Sequence, residues 1–242
     1  MEDRLALPEN LWFELEPASP QECPYLPNRE IQLGLGLMLP DAPHFDRLLA
    51  RGCRRLGQIF YLPACAGCRE CLPIRVPLAT FAPSRSQRRL WRRVADRFEV
   101  RLLPPTFEEA HFQLYHRHSL HVSDDNTPGG PESYVRAFLL STVETRLVEY
   151  RVDEQLVALS IIDEGEKAIS SVYTCWDPDQ AHLSPGTFSA LWEMRWARDA
   201  GKEHYYLGYY IAECSRMNYK NRFRPYELLD WSRGEWGVGD GA

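Results

Sequence analysis

The chain has 242 residues, of which 44% are hydrophobic and 26% charged, with a formal net charge of −6, a composition that excludes a disordered or fibrous protein and suffices for a sizeable core. No apolar run is long enough to span a bilayer, and MEDRLALPENLWFELEP lacks the basic start and apolar centre of a signal peptide, so a soluble, cytoplasmic protein with no membrane partner is expected. The net charge conceals a division: over 51–101, twelve arginines stand against only Glu70, Asp96 and Glu99, a +9 segment inside an acidic chain that points to a phosphate-rich partner.

Up to about Pro105, prolines at 17, 20, 24, 27, 40, 43, 63, 73, 77 and 83 predict short strands and turns. Within this part lies C65-A-G-C68-R-E-C71-L-P, three thiols at two-residue intervals around a loop that Gly67 allows to reverse. Seven cysteines in an unexported chain do not predict a disulfide framework, whereas this spacing is that of a metal site. Cys23 is the natural fourth ligand if the N-terminal arm folds back. Cys23, Cys65, Cys68 and Cys71 then suit a structural zinc ion or an iron–sulfur cluster, with a metal-free cluster of reduced thiols as the alternative. Cys53, Cys175 and Cys214 have apolar or strand-like neighbours and read as buried thiols.

Residues 74–81 alternate as a strand does, and Ser84 opens a helix over 84–98 whose Leu90, Trp91, Val94 and Phe98 recur at helical spacing. Its start presents Ser84, Arg85, Ser86, Gln87, Arg88 and Arg89, with Arg92 and Arg93 further along. Hydroxyls, free backbone N–H groups and guanidinium groups at a helix N-terminus suit an anion; a solvated arginine face is the alternative.

The turn over 102–106 begins a second part. Thr106 is placed to cap a helix whose Phe107, Ala110, Leu114 and Tyr115 face inward, while His111, His116, His118 and His121 fall on different faces and do not predict a metal cluster. An acidic loop leads to a second helix over 132–140, and strands follow at 146–151, 156–163 and 168–175. Ser184 as cap, Pro185 in the first turn and Gly201 as stop predict a helix over 185–200 with Phe188, Leu191, Trp192 and Trp196 on one face, and a strand from His204 completes a β-α-β unit. Two helices, a strand meander and this unit follow the order of a GNAT-type acyltransferase. The expected fold class is α+β, with a Cys- and Arg-rich region over 1–105 and a GNAT-like transferase region over 106–242.

The strings Y61-L-P-A-C-A-G-C-R-E-C-L-P-I-R-V-P, F81-A-P-S-R-S-Q-R-R, L183-S-P-G-T-F-S-A-L-W and M217-N-Y-K-N-R-F-R-P-Y-E resemble the aminoacyl-tRNA–protein transferases of the N-degron pathway. The resemblance runs from about Cys23 to Glu227, and the short chain and compact cysteine loop resemble the bacterial, leucine-transferring branch more than the eukaryotic, arginine-transferring one. It implies transfer of leucine from Leu-tRNA to the α-amino group of proteins beginning with Asp or Glu, which creates a destabilising N-terminus, and it implies no organic cofactor.

The residues accommodate this reaction. The basic segment offers counter-charge to tRNA phosphates, and the ester is already activated, so orientation supplies much of the acceleration. Arg75, Arg85, Lys220 and Arg222 are candidates for the acceptor's acidic side chain, and Lys220 stands out in a chain whose other lysines are only Lys167 and Lys202. Gly186 and Thr187 are candidates for holding the terminal adenosine or the ester. Tyr219, with Tyr205, Tyr206, Tyr209 and Tyr210, is a candidate stacking surface, although alternate tyrosines on a strand belong to the core. Asp125, Asp177, Asp179 and Glu213 are open alternatives for a proton acceptor. An arginyl donor, a CoA-dependent N-acetyltransferase and a non-catalytic metal-containing RNA-binding module are the competing functions.

Overall fold

The computed structural model describes residues 15–122 and 128–239. The chain begins with β1 (Glu16–Pro17), β2 (Gln21–Glu22), β3 (Glu30–Ile31), β4 (Leu33–Leu37), helix α1 (Ala42–Ala50), β5 (Arg54–Leu56) and β6 (Ile59–Pro63). β2 and β3 form a small hairpin, and β1, β4, β6 and β5 make an antiparallel sheet in that order. Helix α1 departs from the expectation of strands and turns alone. Asp41 caps it by accepting the His44 amide, Pro43 lies in its first turn, and Phe45, Leu48 and Leu49 are buried. A proline just after an Asp cap starts a helix, because its missing N–H has no partner to lose there.

The chain continues through β7 (Leu72–Pro77), α2 (Arg85–Val94), β8 (Glu99–Leu103), α3 (Glu109–Val122) and α4 (Pro131–Tyr134). Then come β9 (Glu144–Val152), β10 (Gln155–Glu164), β11 (Ala168–Trp176), α5 (Pro185–Asp199), β12 (His204–Tyr210), α6 (Ser215–Asn218), β13 (Glu227–Asp230) and β14 (Glu235–Val238). Several bounds differ from expectation. β7 stops at Pro77, where the amides of Thr80 and Phe81 turn back onto the Pro77 carbonyl. Helix α3 begins at Glu109, because the Thr106 hydroxyl donates to the Pro104 carbonyl. The helix expected over 132–140 divides into α4 and one wider turn, Val135–Leu139, with i→i+5 bonding.

Eight strands form one sheet in the order β14-β13-β7-β12-β11-β10-β9-β8, so β7 and β8 from before residue 105 share it with the later strands. All neighbours run antiparallel except β11 and β12, the pair joined by α5. One face carries α2 and α5: Val76, Ala158, Ile162, Ile169 and Tyr205 pack against Val94, Phe188, Leu191 and Met194. The opposite face is covered in two places. Phe112 and Leu114 of α3 pack on Leu147, Leu159 and Ile161, while Phe45 and Leu48 of α1 and Phe60 of the small sheet pack on Ala168 and Tyr206. This is the α+β architecture expected.

A buried ion pair joins the two sheets. Arg55 of β5 sends Nε to Asp163 Oδ2 and Nη2 to Oδ1, both at 2.6 Å, and Thr145 donates to the same carboxylate. Both ionic side chains are almost wholly buried.

Candidate active site

The parallel pair is short. β11 and β12 are registered only from Ala168↔His204 to Ser170↔Tyr206, after which β11 stays with β10 as far as Trp176 and β12 stays with β7 as far as Tyr210. Each strand carries an irregularity where they part. Val172 is the extra residue of β11, between partners of Ile161 and Ile162, and Leu207 is the extra residue of β12, between partners of Arg75 and Ile74. Bulges increase local twist and bend their strands, so the two edges diverge and leave a cleft in the middle of the sheet. Gly208 follows the second bulge at φ +86°, which the missing Cβ permits.

Two cations meet at Gly208. A Cβ built there would lie 3.6 Å from Arg54 Nε and Nη2 and 3.6 Å from Lys220 Nζ. Arg54 is 6% exposed and Lys220 7%. Their partners are neutral: Arg54 donates to Ser170 Oγ at 2.8 Å and to the Ser171 carbonyl, and Lys220 donates to the Tyr209 carbonyl at 2.7 Å with Met217 Sδ at 3.6 Å. Among the described residues neither forms an ion pair. Burial, with Arg54 as the second cause, pulls the Lys220 ammonium down to about 7. Two neighbouring buried cations with no carboxylate partner among the described residues form a site suited to an anion.

The Lys220 turn is fixed to the basic helix. Ser84 caps α2 by accepting the Gln87 amide at 3.2 Å while Gln87 Oε1 accepts the Ser84 amide at 2.7 Å, a reciprocal capping box. Gln87 Nε2 then donates to the Arg222 carbonyl at 3.1 Å, and the Ala82 amide to the Arg224 carbonyl at 3.3 Å. The strings around Ser84–Arg89 and around Lys220 are therefore neighbours. Ser84, Arg85, Ser86, Arg88, Arg89, Arg92, Arg93 and Arg222 are exposed, and among the described residues none of these arginines pairs with a carboxylate. Arg88 caps the Pro83 carbonyl, and Arg93 reaches the His182 carbonyl at 3.3 Å.

The remaining predicted residues fall elsewhere or hold other partners. Arg75 donates to Glu227 Oε2 at 2.6 Å and lies 4.2 Å from the Trp236 ring centre, so its charge is already matched. With Arg54 and Arg55 also turned inward, the +9 segment does not lie on one surface; α2 carries the exposed basic face. Gly186 and Thr187 start α5 below Trp176, whose ring atoms come within 3.5 Å of a Cβ built on Gly186. Ser184, at φ +53°, caps no amide with its side chain; its carbonyl accepts the amides of Thr187 and Phe188. Tyr205, Tyr206 and Tyr209 are buried, Tyr210 half-buried and Tyr219 the most exposed of the five. Asp177 and Asp179 pair with Arg117, Glu213 is exposed, and Asp125 lies outside the described residues. The histidines separate as expected: His111 binds Glu149 at 2.8 Å, while His118 faces the Trp176 carbonyl at 3.1 Å.

The cysteine loop lies behind Lys220. Cys71 and Cys214 are buried in one cluster with Tyr209 and Ile211, against which Cys23 packs. Burial, then the neighbouring Cys65, Cys23 and Cys68, pushes the Cys71 thiol up to about 12, so the four thiols share one neighbourhood. Cys65 contacts the Gln32 backbone, and Arg29 donates to Cys68 Sγ at 3.4 Å. Among the described residues no three of these sulfurs lie within 4.8 Å of one another. The donor set suits a thiophilic ion in its chemistry, but its sulfurs are not gathered around one point. To close on one, the loop at Gly67, with φ +69° and open space around it, must draw inward.

Sequence reasoning missed Arg54 and a wholly buried Glu193 on α5. Arg54 is one of twelve arginines in its segment and sits on a three-residue strand that no pattern announces. Glu193 lies between Trp192 and Met194, on a helix buried on most sides, and that surrounding apolarity was the available signal.

Comparison with known proteins agrees with this arrangement. The family model described as Arginine-tRNA-protein transferase, C terminus, matches residues 110–230, and that for the N terminus matches 21–89. The aspartate/glutamate leucyltransferase of Chromobacterium violaceum is 34% identical over 219 residues, covering 89% of this chain and 90% of its own. That of Chromohalobacter salexigens is 38% identical over 224 residues, covering 88% and 90%. The crystal structure of FemX, at 9% identity and a TM-score of 0.47, spans 73% of this chain and 63% of its own, too slight a likeness to bear on function. With both halves matched and relatives aligned over nearly their full length, the chain belongs to the arginine-tRNA-protein transferase family and is an aminoacyltransferase.

Proposed function

We propose that the protein transfers leucine from Leu-tRNA to the α-amino group of proteins whose first residue is Asp or Glu, and so creates a destabilising N-terminus. The observation that carries this reading is the pair Arg54 and Lys220, buried beside Gly208 with neutral partners only. An acceptor's carboxylate supplies the missing counter-charge and makes charge-assisted hydrogen bonds in a site from which water is largely excluded. A neutral first residue leaves both cations uncompensated, so the site rejects it as well as failing to attract it.

The donor approaches from α2. Its exposed arginines track acceptor-stem phosphates, and Tyr219 offers a ring to a terminal base. The cleft between β11 and β12 brings the acceptor amine to the leucyl ester carbonyl. Nitrogen forms a bond to that carbon, the bond from carbon to the ribose oxygen breaks, and the ribose oxygen takes a proton as it leaves.

Labelled Leu-tRNA, Arg-tRNA and acetyl-CoA, each incubated with peptides beginning with Asp, Glu or Ala, test the reading. Label is expected to pass from Leu-tRNA to the Asp and Glu peptides alone. Transfer from acetyl-CoA, or indifference to the first residue, would show the assignment to be wrong, and preference for Arg-tRNA would move the chain to the arginyl branch.

We also propose that Cys23, Cys65, Cys68 and Cys71 hold a zinc ion or an iron–sulfur cluster that fixes the wall behind Lys220. Such a centre would play a structural part, tying the β2–β3 hairpin to the start of β7. Cys68→Ala is expected to lower bound metal, measured by elemental analysis after anaerobic purification, and to lower the melting temperature. Absorption spectra separate the two metals, and a metal-free protein of full stability would refute the centre.

A further inference from the structure

Glu193 is a carboxylate that the transfer as described does not use. It is 0% exposed, in the middle of α5, and among the described residues it has no ion pair. Instead it gathers hydroxyls. Tyr205 of β12 donates to Oε2 at 2.5 Å, Tyr150 of β9 donates to Oε1 at 3.0 Å, and the Ser160 hydroxyl of β10 also bears on it. Tyr219, beside Lys220, is the remaining titratable group that bears on it. Burying a carboxyl among phenols with no cation is costly, and a hydrophobic residue would pack α5 more cheaply.

The hydroxyls lead toward the cleft. Tyr205 is paired to Ile169, one step before the strands part. Ser171 is the first residue of β11 beyond the parallel register; its side chain bears on the Tyr205 hydroxyl, and its carbonyl accepts from Arg54. A row of hydroxyls thus leads from the half-buried Ser171, whose carbonyl touches Arg54 at the anion site, past Tyr205, which donates to Glu193. Tyr150 bonds the same carboxyl but stands off this line, its oxygen also reaching the Ser189 carbonyl at 3.4 Å.

We infer that Glu193 is a positioning residue that takes up, through Tyr205 and Ser171, the proton that the acceptor ammonium must lose before it attacks. The inference rests on the proposed amine acceptor. The ammonium gives its proton to Ser171 Oγ as the Ser171 proton passes to Tyr205 Oη and the Tyr205 proton passes to Glu193 Oε2. The amine lone pair freed in this way forms the bond to the ester carbonyl carbon. The ribose oxygen leaves with the second proton of the amine, and Glu193 returns its proton along the same line once the product has gone. Burial raises the Glu193 carboxyl above its ordinary value, while the hydroxyls around it pull the other way.

Three variants test this, assayed with Leu-tRNA and an Asp-initiated peptide. Glu193→Gln and Tyr205→Phe are expected to lower kcat about tenfold or more at pH 7, with KM for the tRNA changed less than about twofold. Tyr150→Phe, which removes a hydrogen bond from the same carboxyl, is expected to stay within about twofold of the parent. The loss in the first two should shrink above about pH 8.5, where the amine arrives already uncharged. Equal losses for the two phenol variants, or a loss independent of pH, would assign Glu193 to packing alone and overturn the inference. If Glu193→Gln does not fold, the two phenol variants decide. Should the parent enzyme use a different aminoacyl donor, the proposed function falls, but the same comparison made with that donor still tests the relay, which concerns only the amine's proton.

Discussion

Lys220→Met is expected to lower kcat/KM for Asp- and Glu-initiated peptides roughly a hundredfold, the consequence of losing one partner of a buried charge-assisted contact worth about 2–5 kcal/mol. The same variant should be more stable than the parent. Lys220 is buried with Arg54 beside it and no carboxylate, and its folded pKa of about 7 lies well below the 10.5 of an ordinary lysine. Below pH 7 it is charged in both the folded and the unfolded chain, and the full cost of burying that charge is present. Between about 7 and 10.5 the unfolded chain holds a proton that the folded one does not, so stability rises with pH across that window and the cost fades. Methionine, of similar length and no charge, removes the cost outright. The gain in unfolding free energy should be on the order of 2 kcal/mol at pH 6 and smaller at pH 9, read from denaturant midpoints. A variant that is inactive and less stable at pH 6 would show that Lys220 has a counter-charge in solution and that the anion site is wrongly placed.

The second large effect belongs to the joint between the sheets. Arg55→Met removes one partner of the buried Arg55–Asp163 pair and leaves the Asp163 carboxylate with Thr145 as its remaining hydrogen-bond donor. Breaking such a pair from one side costs about 3–5 kcal/mol, whereas replacing both partners with apolar residues is often neutral. Arg55→Met should therefore unfold at a markedly lower denaturant concentration. The double variant Arg55→Met with Asp163→Leu should recover most of the loss. Failure of the double variant to recover would mean that the geometry of the pair, beyond its charge, aligns β5 and its neighbour Arg54.

The elements legible in the sequence were those whose local chemistry and tertiary role agree. Helix α5 has a proline start and a glycine stop, and its apolar faces meet the sheet as their spacing requires. The strings around Ser84 and around Lys220 were legible as chemistry, but their adjacency was not, because it depends on one side-chain amide, Gln87, whose capping role hides its reach to Arg222. Arg75 shows the converse: its residue type suited the acceptor carboxylate, but Glu227, paired to it across β7 and β13, already satisfies it. Glu193 and Arg54 are meaningful only through burial, a property of the assembled sheet that a helical or strand pattern cannot express.

Sheet order has a consequence for how the protein is made. β7 lies between β12 and β13, strands that leave the ribosome long after it, and its hydrogen bonds on both sides wait for them. The cysteine loop and the basic helix flank that waiting strand, so a nascent chain holds both before it has a sheet to seat them. Closing so large a loop is slow, and an apolar strand with two bare edges invites wrong pairing in the interval. A thiophilic ion caught early by the loop, ahead of the last strands, would shorten that exposure by fixing one end of β7 while translation proceeds.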